Sequence, residues 1–248
     1  MKQTLLAFSF SFAILTFTHA QVTAGQIDDF EDDTVQGWVV GSNSTNPPVN
    51  VNTGGQNGAG DNFLRYISTG TGGPDSKMII YNQTTWTGDY TFQGIVAIEF
   101  DVKVETNNLN LRVAFDGGGG RFCTTTPISV TAGSGWNHVV IPISTTDFTA
   151  VGGSDIVDTL ADVNTMRILS NTTASWLGQT IAATMEIDNI EAATSLSINE
   201  NKKADFSIFP NPGKSKLNII ENCNLNYIAT NCAINYPTNI KIVTSLIT

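Results

Sequence analysis

Acidic side chains are concentrated in two short segments that lie far apart in the sequence. The first is Ile27–Trp38, which reads IDDFEDDTVQGW, and the second is Met185–Ile190, which reads MEIDNI. We predict that these segments pair as neighbouring strands and close one domain, because both carry short apolar strand patterns. Pairing would bring Asp28, Glu31 and Asp188 to one edge of the sheet. Calcium prefers such oxygen ligands, so the pattern predicts a structural Ca²⁺ site; the alternative is a solvated acidic edge.

A second group of side chains has the chemistry of sugar recognition. Aromatic rings stack on the apolar faces of sugar rings, while Arg and Asp side chains bind the hydroxyl groups. Arg112 and Asp116 lie on the predicted outward face of a strand, where they could line a concave groove or form a surface pair. The predicted ligand-binding set is Trp86, Tyr90, Arg112, Asp116 and Trp176, with Tyr66 and Tyr81 as further aromatic candidates.

Catalytic patterns are weak in this sequence. Once the N-terminal segment is removed, His138 is the one remaining histidine, and no G-x-S-x-G motif accompanies it. A glycosidase needs two carboxylates about 5–10 Å apart, but 22 acidic residues produce such pairs by chance. The cysteines fit no zinc motif, and Cys123 is interpreted as a small buried apolar residue. We therefore predict no catalytic residues and no enzyme.

The charge balance restricts the partners of the protein. The chain has 22 acidic and 12 basic residues, which gives a net charge of −10. Nucleic acids and anionic membrane surfaces are disfavoured, because phosphate binding requires clustered Lys and Arg. Neutral or cationic ligands and metal ions remain compatible with this charge.

Alternating apolar and polar residues predict the fold class. Ile98–Glu105 and Leu109–Asp116 both alternate strictly, and the short connection Thr106–Asn108 between them is interpreted as a hairpin turn. Gly117–Gly120 is interpreted as a flexible tip. Further predicted strands are Phe63–Ile67, Met78–Tyr81, Trp136–Ile143, Val163–Leu169 and Met185–Ile190. No segment before Ala192 has convincing helical periodicity. The pattern predicts an all-β protein, an antiparallel β-sandwich or jelly roll with a short C-terminal β appendage.

The ends of the chain predict export. Met1–Ala20 has one Lys, an apolar run and a small-residue cleavage site, as in a secretory signal peptide. No later segment is long and apolar enough to be a transmembrane helix, so we expect a secreted or surface-attached protein. The predicted organisation is a signal peptide over 1–20, a β-sandwich over 21–191, a linker over 192–205 and a terminal module over 206–248.

The terminal module resembles a known secretion signal. Phe206–Ile219 reads FSIFPNPGKSKLNI and is similar to the opening of the C-terminal sorting domain of the Bacteroidetes type IX secretion system. The match is partial, since Glu221–Thr248 departs from the family pattern. This resemblance implies that the type IX machinery exports the protein to the medium or to the outer-membrane surface.

Ile27–Glu191 resembles a second family. The order FEDxxxxGW, GxxWNHVVIPIS and MEIDNI is similar to galactose-binding-like jelly rolls, the fold of many carbohydrate-binding modules. In those families an acid after the first-strand Phe and an acid in the final strand commonly bind structural calcium, and the matching residues are Glu31 and Asp188. The resemblance implies a non-catalytic protein that binds a polysaccharide or glycan. The alternatives are a structural or adhesive surface protein without a glycan ligand, and a glycan-active enzyme.

Overall fold

The computed structural model describes residues 21–196, which lie within the first of the two units of the chain, Met1–Ser197. The predicted signal peptide and the sorting segment 206–248 lie outside the described residues, as does the linker beyond residue 196. No helix among residues 21–196 is long and apolar enough to cross a membrane.

Short strands dominate the described part of the chain. They are β1 (Ile27–Asp28), β2 (Val49–Val51), β3 (Phe63–Thr69), β4 (Ile79–Asn82), β5 (Ala97–Glu105), β6 (Leu109–Gly117), β7 (Gly120–Thr124), β8 (Ile128–Val130), β9 (Trp136–Pro142), β10 (Phe148–Gly153), β11 (Val163–Ser170) and β12 (Ala182–Ala193). A 3₁₀ turn, Thr145–Asp147, precedes β10, and a helix, α1 (Ile156–Ala161), precedes β11. The predicted all-β sandwich is confirmed.

The first sheet, sheet A, is built around the last strand. Its order is β2-β3-β12-β5-β9, and β1 also pairs with β12. The predicted pairing of the first and last strands is confirmed, because Ile27 is opposite Glu191 and Asp28 is opposite Ile190. Strand β9 forms one edge, as expected from Pro142, which has no amide hydrogen to donate to a further strand.

The second sheet, sheet B, has the order β10-β7-β6-β11-β4, and β8 also pairs with β6. The core lies between the two sheets. Phe100 and Val102 of β5 and Val113 and Phe115 of β6 are fully buried there, as their alternation predicted. Cys123 is buried on the opposite face of sheet B and is a free thiol, which confirms its interpretation.

The predicted hairpin at Thr106–Asn108 is wrong. Strand β5 pairs with β9 and β12 in sheet A, whereas β6 pairs with β7, β8 and β11 in sheet B. The connection therefore passes from one sheet to the other, and Thr106 adopts a φ of +80° within it. The apolar faces of β5 and β6 meet across the core instead of lying side by side in one sheet. Both arrangements require the same alternation of apolar and polar residues, so the sequence pattern cannot distinguish them.

The glycine segment after β6 supports a helix that the sequence pattern did not reveal. Asp155 caps α1 by accepting hydrogen bonds from the amides of Val157 and Asp158. A Cβ atom at Gly119 would lie 1.8 Å from the Asp155 carbonyl oxygen, so only glycine allows this close approach. The interpretation of Gly117–Gly120 as a flexible tip is therefore replaced by that of a tight turn packed against α1.

Candidate functional site

The outer face of sheet B presents polar and aromatic side chains from adjacent strands. Arg167 of β11 is opposite Tyr81 of β4, and the Arg167 guanidinium carbon lies 5.5 Å from the centroid of the Tyr81 ring. Two positions back along β11, Thr165 is opposite Asp116 of β6, which in turn is opposite Arg121 of β7. These side chains alternate with buried core residues, so they point away from the sandwich interior.

A loop over residues 171–181, which connects β11 to β12, covers part of this face. Trp176 of the loop packs on a small apolar cluster that includes Ala114, Cys123 and Leu169. Its carbonyl oxygen accepts a hydrogen bond of 2.8 Å from Arg167 Nη1. Trp176 remains half-buried, so part of the residue is accessible at the edge of the face.

Arg112 fastens this loop and does not line the groove. Its side chain is buried, with 2% of the residue exposed. Nε donates to the Asn171 carbonyl at 2.8 Å, Nη2 to the Thr172 carbonyl at 3.0 Å, and Nη1 to the carbonyls of Thr124 and Thr125. The prediction that Arg112 binds a ligand is corrected, because its hydrogen-bonding groups are directed to the backbone of the loops.

Two other predicted ligand-binding residues lie in the core. Trp86 is fully buried and Tyr90 is 1% exposed. The Trp86 indole donates a hydrogen bond of 2.6 Å to Asp28 Oδ2, and the Tyr90 hydroxyl donates one of 3.0 Å to the Trp86 carbonyl. A sugar cannot reach either ring in the folded protein. The prediction for these two residues is corrected, because their segment folds inward between the sheets and each polar atom finds an internal partner.

Asp116 and Trp176, in contrast, are brought to the same part of the surface. Both contact Arg121: Asp116 Oδ2 accepts from Arg121 Nε at 3.1 Å, and the Arg121 guanidinium carbon lies 4.9 Å from the centroid of the Trp176 ring. Arg121 and Arg167 were missing from the predicted set. A signal was present, since both arginines fall at polar positions of alternating strands, as Asp116 does. We call Tyr81, Asp116, Arg121, Arg167 and Trp176 the sheet-B face.

The outer face of sheet A is occupied by internal ion pairs. Glu186 of β12 binds Arg65 on one side at 2.7 Å and Lys103 on the other at 2.9 Å. Farther along, His138 contacts Asp101 at 3.0 Å and Glu99 at 3.3 Å. These charged groups are already partnered by other side chains of the same face, so they are less available to a ligand than those of the sheet-B face.

The carboxyl group of Asp28 is bound by two buried indoles. Its Oδ2 accepts hydrogen bonds from the indoles of Trp38 at 2.7 Å and Trp86 at 2.6 Å. Burial raises the pKa of the Asp28 carboxyl above its usual value of 3.8, although the two indole hydrogen bonds act in the opposite direction. Because this oxygen is directed to the core, Asp28 is not part of the candidate calcium site.

Acidic side chains surround Asp188 in the middle of β12, where the strand register shifts. Burial, together with the smaller effect of the nearby charges of Asp61, Asp101 and Glu31, raises the pKa of its carboxyl to about 7. Asp188 is 1% exposed; Oδ1 accepts from the Asn189 amide at 2.7 Å, while Oδ2 has no hydrogen-bond partner. A buried carboxylate oxygen without a donor is costly, and a cation beside it would remove that cost.

The side chains of this acidic cluster do not form a complete metal site by themselves. Within residues 21–196, no group of three or more His, Cys, Asp or Glu side chains is arranged to hold a metal ion. Glu31 Oε1 accepts a hydrogen bond from the backbone amide of Asn62 at 2.8 Å, and Asp61 Oδ2 accepts one from the backbone amide of Asn57 at 2.6 Å. A calcium ion at Asp188 would thus take most of its six to eight oxygens from backbone carbonyls and water.

Comparison with known proteins identifies the architecture. No protein-family model matches the sequence, and no curated protein is similar to it in sequence. The structure is similar to that of an exo-beta-agarase, with a TM-score of 0.51 and 15% identity over 72% of this chain and 25% of that chain. The matched region thus spans about a quarter of the agarase. At this identity the similarity concerns the fold alone.

Carbohydrate-binding modules also appear among the similar structures. The family 11 module from Clostridium thermocellum, in complex with a beta-1,3-1,4-mixed-linked tetrasaccharide, has a TM-score of 0.45 and 18% identity over 71% of this chain and 99% of that chain. A CBM28 module specific for non-crystalline cellulose has a TM-score of 0.41 and 16% identity, over 70% and 97% of the two chains.

Proposed function

We propose that this protein is a non-catalytic polysaccharide-binding protein and that the sheet-B face is its binding surface. The observation that carries the proposal is the grouping of Trp176, Tyr81, Arg121 and Asp116 on one accessible sheet face. Binding sites for sugars and other small ligands are typically lined by aromatic side chains with a few polar groups directed to the ligand. The ligands of the similar carbohydrate-binding modules, a mixed-linked tetrasaccharide and non-crystalline cellulose, belong to the chemical class that this composition suits.

The proposed binding mode uses the loop that carries Trp176. Arg112 holds this loop against sheet B through its hydrogen bonds to the Asn171 and Thr172 carbonyls. The Trp176 ring is therefore positioned before a ligand arrives, and binding does not have to order it. Arg121, whose Nε is paired with Asp116, then offers its terminal nitrogens as donors to sugar oxygens beside the ring.

We further propose that Asp188, with Glu31, Asp61 and Asp101 around it, holds a structural calcium ion. The support is the buried Asp188 Oδ2 without a partner, together with the charges of the surrounding acids. The ion would neutralise carboxylates that the pairing of β5 with β12 forces together. It lies on sheet A and takes no part in sugar binding at the sheet-B face.

The sequence patterns at the two ends support a proposal for location. We infer that the signal peptide over 1–20 starts export and that the type IX machinery recognises the segment 206–248. The protein would then reach the medium or the outer-membrane surface. Both segments lie outside the described residues, so the proposal depends on their sequence alone. Secretion of the full chain from a type IX-competent cell, and its loss on deletion of 206–248, would test it.

The binding proposal is tested by a pull-down of the full chain with a panel of insoluble polysaccharides and by affinity electrophoresis with soluble ones. Retention by at least one polysaccharide, without release of reducing sugar, is the expected result. Release of reducing sugar would contradict the non-catalytic assignment. Absence of retention across the panel would favour a structural or adhesive role without a glycan ligand.

A further inference from the structure

The sheet-B face carries a local excess of positive charge although the whole chain is acidic. The guanidinium carbons of Arg167 and Arg121 lie 3.7 Å and 4.9 Å from the centroid of the Trp176 ring. The two cations are therefore no farther apart than the sum of these distances. Asp116 is the one carboxylate that pairs with either of them in the described structure. Two cations and one anion leave a net positive group, in a chain whose net charge is −10.

Most hydrogen-bond donors of the two guanidinium groups have no protein acceptor. Arg121 donates to Asp116 through Nε, and neither of its terminal nitrogens has an acceptor among residues 21–196. Arg167 donates through Nη1 to the Trp176 carbonyl, while its buried Nε has no partner. The Arg121 side chain is 48% exposed, so its terminal nitrogens are accessible to a ligand from solvent.

The two cations also destabilise one another. Burial, and to a smaller extent the charge of Arg121, lowers the pKa of Arg167 to about 10, whereas Tyr81 and Asp116 act in the opposite direction. An anion placed between the guanidinium groups would replace this repulsion by attraction to both. Planar guanidinium groups bind carboxylate and other oxyanions through two parallel hydrogen bonds, which neutral hydroxyl groups match less well.

We propose that the natural ligand is an anionic polysaccharide whose carboxylate or sulfate groups bind Arg121 and Arg167 beside the Trp176 ring. This inference rests on the proposed function, since it specifies the ligand class of the same face. The net charge of the chain alone favours neutral or cationic ligands, but the charges within a few ångströms of the ligand decide its recognition. The acids of sheet A lie on the other side of the sandwich, and salt screens their effect at that distance.

Matched polysaccharide pairs test the proposal with the full chain. Polygalacturonate is compared with its methyl ester, and a sulfated galactan with the same galactan after desulfation, so that each pair differs in the anionic group alone. We expect at least tenfold tighter binding to the anionic member of one pair, roughly the effect of one charge-assisted hydrogen bond. Which pair responds identifies carboxylate or sulfate as the source, and raising the salt concentration should weaken that binding.

Variants at the face sharpen the test. Arg121→Gln should weaken binding of the anionic polymer about tenfold. Asp116→Asn should strengthen it several-fold, because it removes the competing carboxylate. This gain cannot result from misfolding. Arg65→Gln, which removes a cation from the outer face of sheet A, is the matched control and should leave the affinity unchanged.

The outcomes separate the inference from the proposed function. Equal affinity for both members of each pair would overturn the inference and leave polysaccharide binding in place. Weaker binding by Asp116→Asn would also overturn it, since that result means that the carboxylate and not the arginines contacts the ligand. Binding to none of the four polymers would overturn the inference, and the proposed function would then be judged on the neutral polysaccharides of the pull-down.

Discussion

The guanidinium group of Arg167 stacks on the indole ring of Trp176, with 3.7 Å between its carbon atom and the ring centroid. Arg167 belongs to strand β11, whereas Trp176 belongs to the loop after it, so the contact joins a rigid sheet to a covering loop. Stacking of this kind stabilises by about 0.5–2 kcal/mol. It also fixes the orientation of an aromatic ring at the edge of an open sheet face, which is where the polysaccharide is proposed to bind.

The anchoring of the Trp176 loop predicts the effect of removing Arg112. Arg112→Met should lower the free energy of unfolding by about 2–4 kcal/mol, because buried carbonyls that now accept from the guanidinium would lose their donors. Arg121→Met is the control and should cost about 1 kcal/mol or less, since its ion pair is exposed. Urea unfolding measures both values. Similar small losses in the two variants would mean that Arg112 does not hold the loops together.

The sandwich core predicts a second contrast. Phe100→Ala and Phe115→Ala should each cost about 3–5 kcal/mol, because both rings are fully buried and truncation leaves a cavity. Lys103→Ala should cost about 1 kcal/mol or less. Lys103 binds Glu186, but Glu186 keeps Arg65 as a partner at 2.7 Å. Chemical denaturation of the three variants is the measurement, and losses of one size at all three positions would contradict the assigned strand faces.

Calcium should stabilise the folded protein. A hundredfold excess over the dissociation constant adds about 2.7 kcal/mol, which raises the melting temperature by about 5–10 °C for a domain of this size. Asp188→Asn should abolish the effect, whereas Asp158→Asn on helix α1 should retain it. Magnesium should stabilise less, because it requires a tighter octahedral shell. Identical melting curves with calcium and with chelator, on protein shown to be metal-free at the start, would exclude the site.

The buried carboxyl of Asp28 predicts a pH effect of defined sign. Its pKa is raised above 3.8 in the folded state, so the folded protein keeps a proton that the unfolded chain has released. Stability should therefore fall as the pH rises from about 4 through the folded-state pKa. Tryptophan fluorescence can follow the same titration, because both indole partners of Asp28 are buried beside it. Asp28→Asn should remove this fluorescence transition, whereas the loss of stability due to the raised pKa of Asp188 should remain; a fluorescence midpoint at or below 3.8 would contradict the assignment.

The strand pattern of the sequence was sufficient for the sandwich but not for the order of its strands. Phe100 and Phe115 are recognisable as core residues because each side chain alternates with polar neighbours. The same alternation cannot show whether consecutive strands pair with each other or face each other across the core. Thr106, at the change of sheet, has a positive φ but a residue type that does not indicate one.

Predicting the site was harder, because tertiary contacts decide which outward residues remain exposed. Arg112 and Asp116 occupy equivalent outward positions on β6, yet the loop over residues 171–181 covers only Arg112. Trp86 has the same chemical character as Trp176, and its burial depends on the internal acceptor that Asp28 provides. Neither relationship is local in sequence, so composition and periodicity cannot distinguish the buried residue from the exposed one.

Binding of a polysaccharide to the outer face of sheet B is tested most directly by two tryptophan variants. Trp176 lies at the edge of that face, whereas Trp136 is a half-buried residue on the outer face of sheet A, packed against Phe63. The measurement is affinity electrophoresis of the full chain, with a polysaccharide retained in the pull-down and with melting temperatures to show that each variant is folded. We predict that Trp176→Ala weakens binding at least about tenfold and that Trp136→Ala does not. Loss of binding in Trp136→Ala, with wild-type affinity in Trp176→Ala, would contradict the account.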